Sequence, residues 1–142
     1  MERSKPVIIE QHFNRSVNDV WSAITQIDHM TQWFFENIPT FEAKVGFETS
    51  FNVNANGVDY LHLWKITEVI PQKKITYSWK YRDFKGDGVV IFELFEETDQ
   101  TLLKLTNHGL ETFPDDIPEF TRESCEAGWN YFINQRLKEY LS

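Results

Sequence analysis

The sequence predicts an α+β fold in which a curved antiparallel sheet wraps around one long C-terminal helix, with two short helices after the first strand. Three observations point there. The middle of the chain is a succession of short segments with a two-residue apolar period, separated by turn signals. Only Pro118 to Leu141 carries a long helical pattern, with Cys125, Trp129, Phe132, Ile133, Leu137 and Tyr140 on one face. A lone amphipathic helix of roughly 36 Å needs a surface to lie on, and strands grouped apart from helices define the α+β class.

The elements follow in order. Val7 to Phe13 alternates as a strand, placing Val7, Ile9, Gln11 and Phe13 on one face, so that an inward Gln11 needs a partner. Ser16 has the place of an N-cap, and Val17, Val20, Trp21 and Ile24 follow at helical spacing to about Thr25 or Gln26. Asp28 is read as the cap of a second brief helix through Met30 and Trp33. Six strands are then expected. Phe41 to Val45 is modest and stopped by Gly46, and Phe47 to Val53 alternates up to the hairpin signal Asn56-Gly57. Asp59 to Ile70 puts Tyr60, His62, Trp64 and Ile66 on one side, and Pro71 to Lys74 turns the chain. Ile75, Tyr77, Trp79 and Tyr81 form the clearest two-residue period, closed by a predicted turn at Lys85 to Gly88. Val90, Phe92 and Leu94 share a face of the next strand, and Leu103, Leu105 and Asn107 share one in the last, Thr101 to Asn107. Residues 109–117 form an irregular connection to Pro118, which suits a first helical turn.

Composition narrows the class. A chain of 142 residues with 41% hydrophobic and 25% charged residues is sized for one soluble domain. A net charge of −8 without a basic patch argues against nucleic acid and anionic membrane surfaces, and no apolar run is long enough for membrane insertion. The single cysteine excludes an internal disulfide and fits a cytoplasmic setting. Aromatic residues reach 15%, enough for an aromatic core or an aromatic-lined pocket.

The order of short motifs resembles a known family. Val20-Trp21 with Ala23-Ile24-Thr25, Trp33, Gly46-Phe47, Val69-Ile70-Pro71, Tyr77-Ser78-Trp79, Thr101, Gly128-Trp129, Leu137 and Tyr140-Leu141 cover almost the whole chain. Together they resemble the helix-grip fold of the START-related and birch-pollen-allergen (SRPBCC) superfamily, and within it the activator of heat-shock protein 90 ATPase homologue domain. One departure is Gln100-Thr101, where many members have Gly-Thr before the last strand. The resemblance implies a fold and a range of roles, from binding lipids or other apolar ligands, through co-chaperone modules, to cyclases.

The residues themselves carry no signature of nucleophilic, phosphate-binding or metal chemistry. No Gly-rich phosphate loop or nucleophile elbow is present, and the four histidines have no ligand spacing. No catalytic residue, metal or cofactor is therefore assigned. The first expectation is a non-catalytic cavity of at least ~300 Å³ between sheet and helix. Its walls would be Phe51, Trp64, Trp79, Phe92, Trp129, Phe132 and Ile133, with Trp33 near the mouth and Cys125 as a small inward residue. His62, Tyr77, Asn107 and Gln11 are the polar groups predicted inside. Arg122 shares the stripe with Cys125 and Trp129, so it holds an anionic ligand head, pairs with Glu126 one turn later, or points outward from a frayed first turn. Gly128, costly in mid-helix, is read as a close approach of the helix to its neighbours. The alternatives are a module that docks on a heat-shock ATPase, and a small enzyme using His62 or a tyrosine as acid–base group. A monomer or weak dimer is expected.

Overall fold

The structure, a computed structural model, describes residues 4–142. The N-terminal strand β1 (Val7–Phe13) leads into two helices, α1 (Val17–Thr25) and α2 (Ile27–Trp33). Five strands then run as successive hairpins: β2 (Glu48–Ala55), β3 (Val58–Ile70), β4 (Lys74–Tyr81), β5 (Phe84–Glu97) and β6 (Gln100–His108). The sheet order is β1-β6-β5-β4-β3-β2, antiparallel throughout, so β1 closes one edge against β6 and β2 forms the other. One face buries Phe51, Trp64, Ile66, Tyr77, Phe92, Leu103 and Leu105 beneath the C-terminal helix. This is the helix-grip arrangement.

Local chemistry explains most boundaries. Ser16 caps α1, its side-chain oxygen accepting from Asp19 N at 3.2 Å. Gln26 rather than Asp28 stands at the cap position of α2 and makes no side-chain cap bond, while Asp28 lies in the first turn. Asn56 and Gly57 both have positive φ, 55° and 81°, the backbone of the expected tight hairpin. Gln11 finds its partner in Asn134, donating from Nε2 to Oδ1 at 3.0 Å.

Two expectations about the strands are corrected. Phe41 to Val45 is not a strand: residues 34–47 hold no regular pairing, because β2 occupies the edge of β3 and only Gly46 and Phe47 bond to it, both at Ile66. The described residues therefore form six strands in all. Lys85 to Gly88 lies inside β5, and the reversal falls at Arg82-Asp83. The glycines there serve close packing: a Cβ on Gly86 would meet the Phe113 ring at 2.2 Å, and one on Gly88 would meet the Trp79 carbonyl oxygen at 2.8 Å.

The C-terminal helix differs most. Pro118–Phe120 is a separate 3₁₀ turn, and Thr121 caps the helix proper by accepting from Ser124 N at 3.2 Å. The helix runs as α3 (Arg122–Trp129), a π segment over Asn130–Leu137, and a last turn, α4 (Lys138–Tyr140). Its buried residues Trp129, Ile133, Leu137 and Leu141 recur every four positions. In a straight α-helix each four-residue step advances roughly 40° around the axis. The i→i+5 bonding of a π segment widens the turn and holds such a series on one face. The phase slips accordingly: Tyr140, expected inside, is 37% exposed, and Leu141 is buried at 6%.

Gly109 (φ +84°) joins β6 to the next 3₁₀ turn, and a Cβ there would sit 2.2 Å from the Asp87 carbonyl oxygen. Gly109→Ala is expected to destabilise the fold by about 2–4 kcal/mol in urea titrations, since it combines a left-handed backbone with a clash against main chain.

Candidate functional site

A cavity of about 150 Å³ lies at one end of the seam between sheet and helix. Each wall comes from a different element. β3 and β4 supply His62, Trp79 and Tyr81, β5 and β6 supply Gly88 and Asn107, and the helix supplies Cys125, Gly128, Trp129 and Phe132. Leu110, Phe113 and Phe120 from the 3₁₀ turns close one side with Glu119, and Phe35, just past α2, closes the other.

The polar groups are few and mostly fixed. Trp129 Nε1 donates to Asn107 Oδ1 at 3.1 Å, and Asn107 Nδ2 reaches the carbonyls of Val89 and His108 at 3.3 Å. Asn107 thus spends both ends of its amide on orienting the indole. Trp79 Nε1 donates to the Tyr81 hydroxyl at 2.8 Å. Burial raises the Tyr81 phenol above its ordinary value, so it is neutral. Glu119, near the rim, accepts from Asn56 Nδ2 at 3.1 Å, a bond that holds its carboxyl below the ordinary carboxylate value.

His62 faces the cavity from the sheet beside Tyr81. Its Nδ1 lies 2.9 Å from the Tyr60 carbonyl oxygen. A carbonyl only accepts, so Nδ1 carries the proton and Nε2 is left as an acceptor. Burial pulls the imidazole down to about 4, with the Tyr60 bond opposing part of the shift. Near neutral pH the ring is uncharged, flanked by Phe51 (centroids 4.9 Å), Phe35 (5.2 Å) and Tyr81 (4.8 Å).

The cavity brings together six residues singled out from the sequence: His62, Trp79, Asn107, Cys125, Trp129 and Phe132. The others lie elsewhere. Phe51, Trp64, Tyr77, Phe92 and Ile133 are packed into the core beyond it. Trp33 is not near the mouth: it is fully buried, its Nε1 donating to the Ala23 carbonyl at 2.7 Å to lock α2 on α1. Arg122 turns away from the cavity, its Nη2 donating to the Pro6 carbonyl at 3.1 Å and Nη1 lying 3.6 Å from Glu126. Its place at the first turn of the helix, beside the entry to β1, sends the guanidinium to those carbonyls.

Several lining residues, Phe35 among them, had no assigned role in the sequence, nor did Phe34, which packs on Phe35 at 4.9 Å. Phe34 and Phe35 follow Trp33 in an unbroken aromatic run without helical period. Phe34 packs between the sheet rings of Trp64 (5.4 Å) and Trp79 (6.2 Å) and the helix rings of Trp129 (5.7 Å) and Phe132 (4.9 Å). The cavity is accordingly smaller than the ~300 Å³ typical of ligand pockets, because an aromatic side chain of the protein itself occupies the middle of the seam. Gly128 does not mark a close approach: a Cβ there would meet nothing within 4 Å. Its missing side chain leaves cavity space, and a glycine in mid-helix was the available signal.

The family model described as Activator of Hsp90 ATPase homolog 1-like protein matches residues 14–142. No curated protein matches the chain. Among solved structures, protein CV1439 from Chromobacterium violaceum superimposes with a TM-score of 0.81 at 19% identity, covering 99% of this chain and 98% of that one. A Rhizobium loti protein gives 0.83 at 18% identity, with 96% of each chain covered. The Aha1 dimer from Colwellia psychrerythraea, solved in solution, gives 0.69 at 19% identity over 96% of this chain and 95% of that one. At these identities the structural likeness establishes the fold alone.

The lowered His62 value has a consequence for stability. The unfolded chain takes up this proton near pH 6.5, while the folded chain resists it until about 4. Stability is therefore expected to fall as pH drops through that window, by about 3 kcal/mol in total. Urea titrations from pH 7 to pH 4 check this, and His62→Gln should flatten that part of the profile.

Proposed function

The chain belongs to the Activator of Hsp90 ATPase homolog 1-like family, and from that premise we propose that it is a non-catalytic binding protein for a small amphipathic molecule held between sheet and C-terminal helix. The observation that carries the reading is the cavity itself. It is concave, walled by aromatic rings, and carries few polar groups, the composition of small-molecule sites. At about 150 Å³ it matches the size of engineered core cavities that take up benzene. A single ring fits; an acyl chain or a sterol does not.

The chemistry of the walls narrows the molecule further. His62 Nε2 offers an acceptor, so a ligand with an O–H or N–H donor gains a hydrogen bond that a plain hydrocarbon lacks. The Glu119 carboxylate at the rim disfavours an anionic head. A base near 4 is poorly matched to proton abstraction at neutral pH, which favours binding over the enzymatic alternative. No helix among the described residues is long and apolar enough to cross a membrane. With the single cysteine, that is consistent with the cytoplasmic setting we propose.

A second reading is a co-chaperone-like module acting on a heat-shock ATPase. The family's description and the closely packed inner face both favour it, since a docking module has no need of an open cavity. Stimulation of a chaperone ATPase by the purified protein would support it; a pull-down that recovers no chaperone would count against it.

Phenol is the simplest probe of the first reading. It is expected to quench part of the tryptophan emission saturably, through Trp79 and Trp129. Gly128→Leu, which fills the open space while removing a helix-weakening glycine, should retain the fold and weaken phenol binding at least about tenfold. Unchanged affinity in Gly128→Leu would show that phenol binds elsewhere.

A further inference from the structure

Among the described residues, three buried side-chain polar atoms have no hydrogen-bond partner: Thr49 Oγ1, Trp64 Nε1 and the Tyr77 hydroxyl. Their residues are 8%, 2% and 1% exposed. Orphaned groups of this kind are rare, because each keeps an uncompensated desolvation cost. They are also neighbours. Thr49 stands opposite Trp64 across β2 and β3, and the Trp64 and Tyr77 rings lie 5.0 Å apart.

Trp64 and Tyr77 lie under one segment of chain. Phe41 covers Trp64 and Tyr77 at 6.3 and 6.0 Å, and Phe34 covers Trp64 at 5.4 Å. This stretch after α2 has no helix or strand. Among the described residues, one hydrogen bond ties residues 35–41 to the sheet, from Asn37 Nδ2 to the Asn52 carbonyl at 2.6 Å on the edge strand. Phe35 is the partition: it lines the cavity beside His62, and on its other side meets Trp64 at 6.2 Å.

We propose that Phe34, Phe35 and Phe41 form a displaceable plug, and that with the plug withdrawn the cavity continues along β3 and β4 to Trp64 and Tyr77, with Thr49 opposite Trp64 on β2, as one slot for a planar polycyclic aromatic molecule with oxygen substituents. The proposal rests on the ligand-binding reading above and names its ligand class. Flatness follows from walls made of rings. Oxygen follows from the orphaned atoms: Trp64 Nε1 only donates, so it needs an acceptor, and the two hydroxyls take either a carbonyl or a hydroxyl. A saturated acyl chain satisfies none of them. The energetics favour exchange over simple opening. Ligand rings replace the plug's rings in the same aromatic contacts, and the hydrogen bonds to the orphaned atoms distinguish the bound state from the closed one.

Two probes and two variants test it by tryptophan quenching. Phenol fits the closed cavity; 1,8-dihydroxyanthraquinone has three fused rings and needs the slot. Wild-type protein is expected to bind both. Asn37→Ala, which unties the segment, should tighten the quinone about tenfold and leave phenol unchanged. Tyr77→Phe should raise Tm by removing an unpartnered hydroxyl, yet weaken the quinone about tenfold with phenol again unchanged. A merely structural Tyr77 would not split in that way. Phenol binding with no quinone binding to wild type or Asn37→Ala overturns the plug and leaves the small-ligand reading standing. Quinone affinity indifferent to Tyr77→Phe overturns the inner subsite. Failure of both probes overturns both readings.

Discussion

The fold is organised by the closure of a ring-lined sheet face under a single helix, and Trp129 is where that closure is fixed. Its ring meets Trp79 from β4 at 5.5 Å, Phe92 from β5 at 5.9 Å and Phe34 at 5.7 Å, and its N–H is held by Asn107 of β6. A buried indole needs a partner for that N–H. Supplying one from the sheet sets the height and rotation of the helix above it. Asn107 in turn has its amide fixed by main-chain carbonyls, so the interaction refers the helix to the backbone of the sheet rather than to another mobile side chain.

From that fixed point the helix must keep its apolar residues on the sheet for three more turns. The sequence spaces them at Ile133, Leu137 and Leu141, four apart, which a regular α-helix rotates progressively off the surface. The π segment resolves the conflict by changing the backbone period instead of the residues. Toward the other end, Cys125 and Gly128 present little bulk, so the helix stands over open space there. The helix is thus tightly packed at its C-terminal end and sparing at its N-terminal end, and the cavity follows from that gradient in side-chain size.

The sheet was legible in the sequence because a two-residue period and turn chemistry are local properties. Val7 to Phe13, Asn56-Gly57 and the Ile75 to Tyr81 alternation all read directly. Features set by tertiary contact did not. Lys85 to Gly88 has turn composition, but its glycines answer to Phe113, 25 or more residues further along the chain. The exchange of Tyr140 for Leu141 depends on a backbone period that wheel analysis takes as constant. Phe51, Trp64 and Phe92 were correctly inward, yet inward is not the same as facing a cavity. That distinction was made by Phe34, whose position past the end of α2 no periodic pattern constrains. Gly128 shows the same limit from the other side: sequence marks it as costly, and only the surroundings tell whether the reason is contact or vacancy.

The aromatic content of this chain has a physical logic beyond core volume. Filling a seam with aliphatic residues gives interlocked, shape-specific packing, and withdrawing one leaves a void with no ready substitute. Flat rings pack with other flat rings in several offset and edge-on geometries of similar energy. Phe34 uses three of them at once, stacked on Trp33 and Trp64, tilted to Trp129 and edge-on to Phe132. A surface of this kind accepts a foreign ring with little penalty relative to its own. What it lacks is any use for Trp64 Nε1 and the Tyr77 hydroxyl, buried polar atoms without a partner among the described residues. Their presence beneath a segment that, among the described residues, one side-chain hydrogen bond ties to the sheet is the feature that packing alone leaves unexplained.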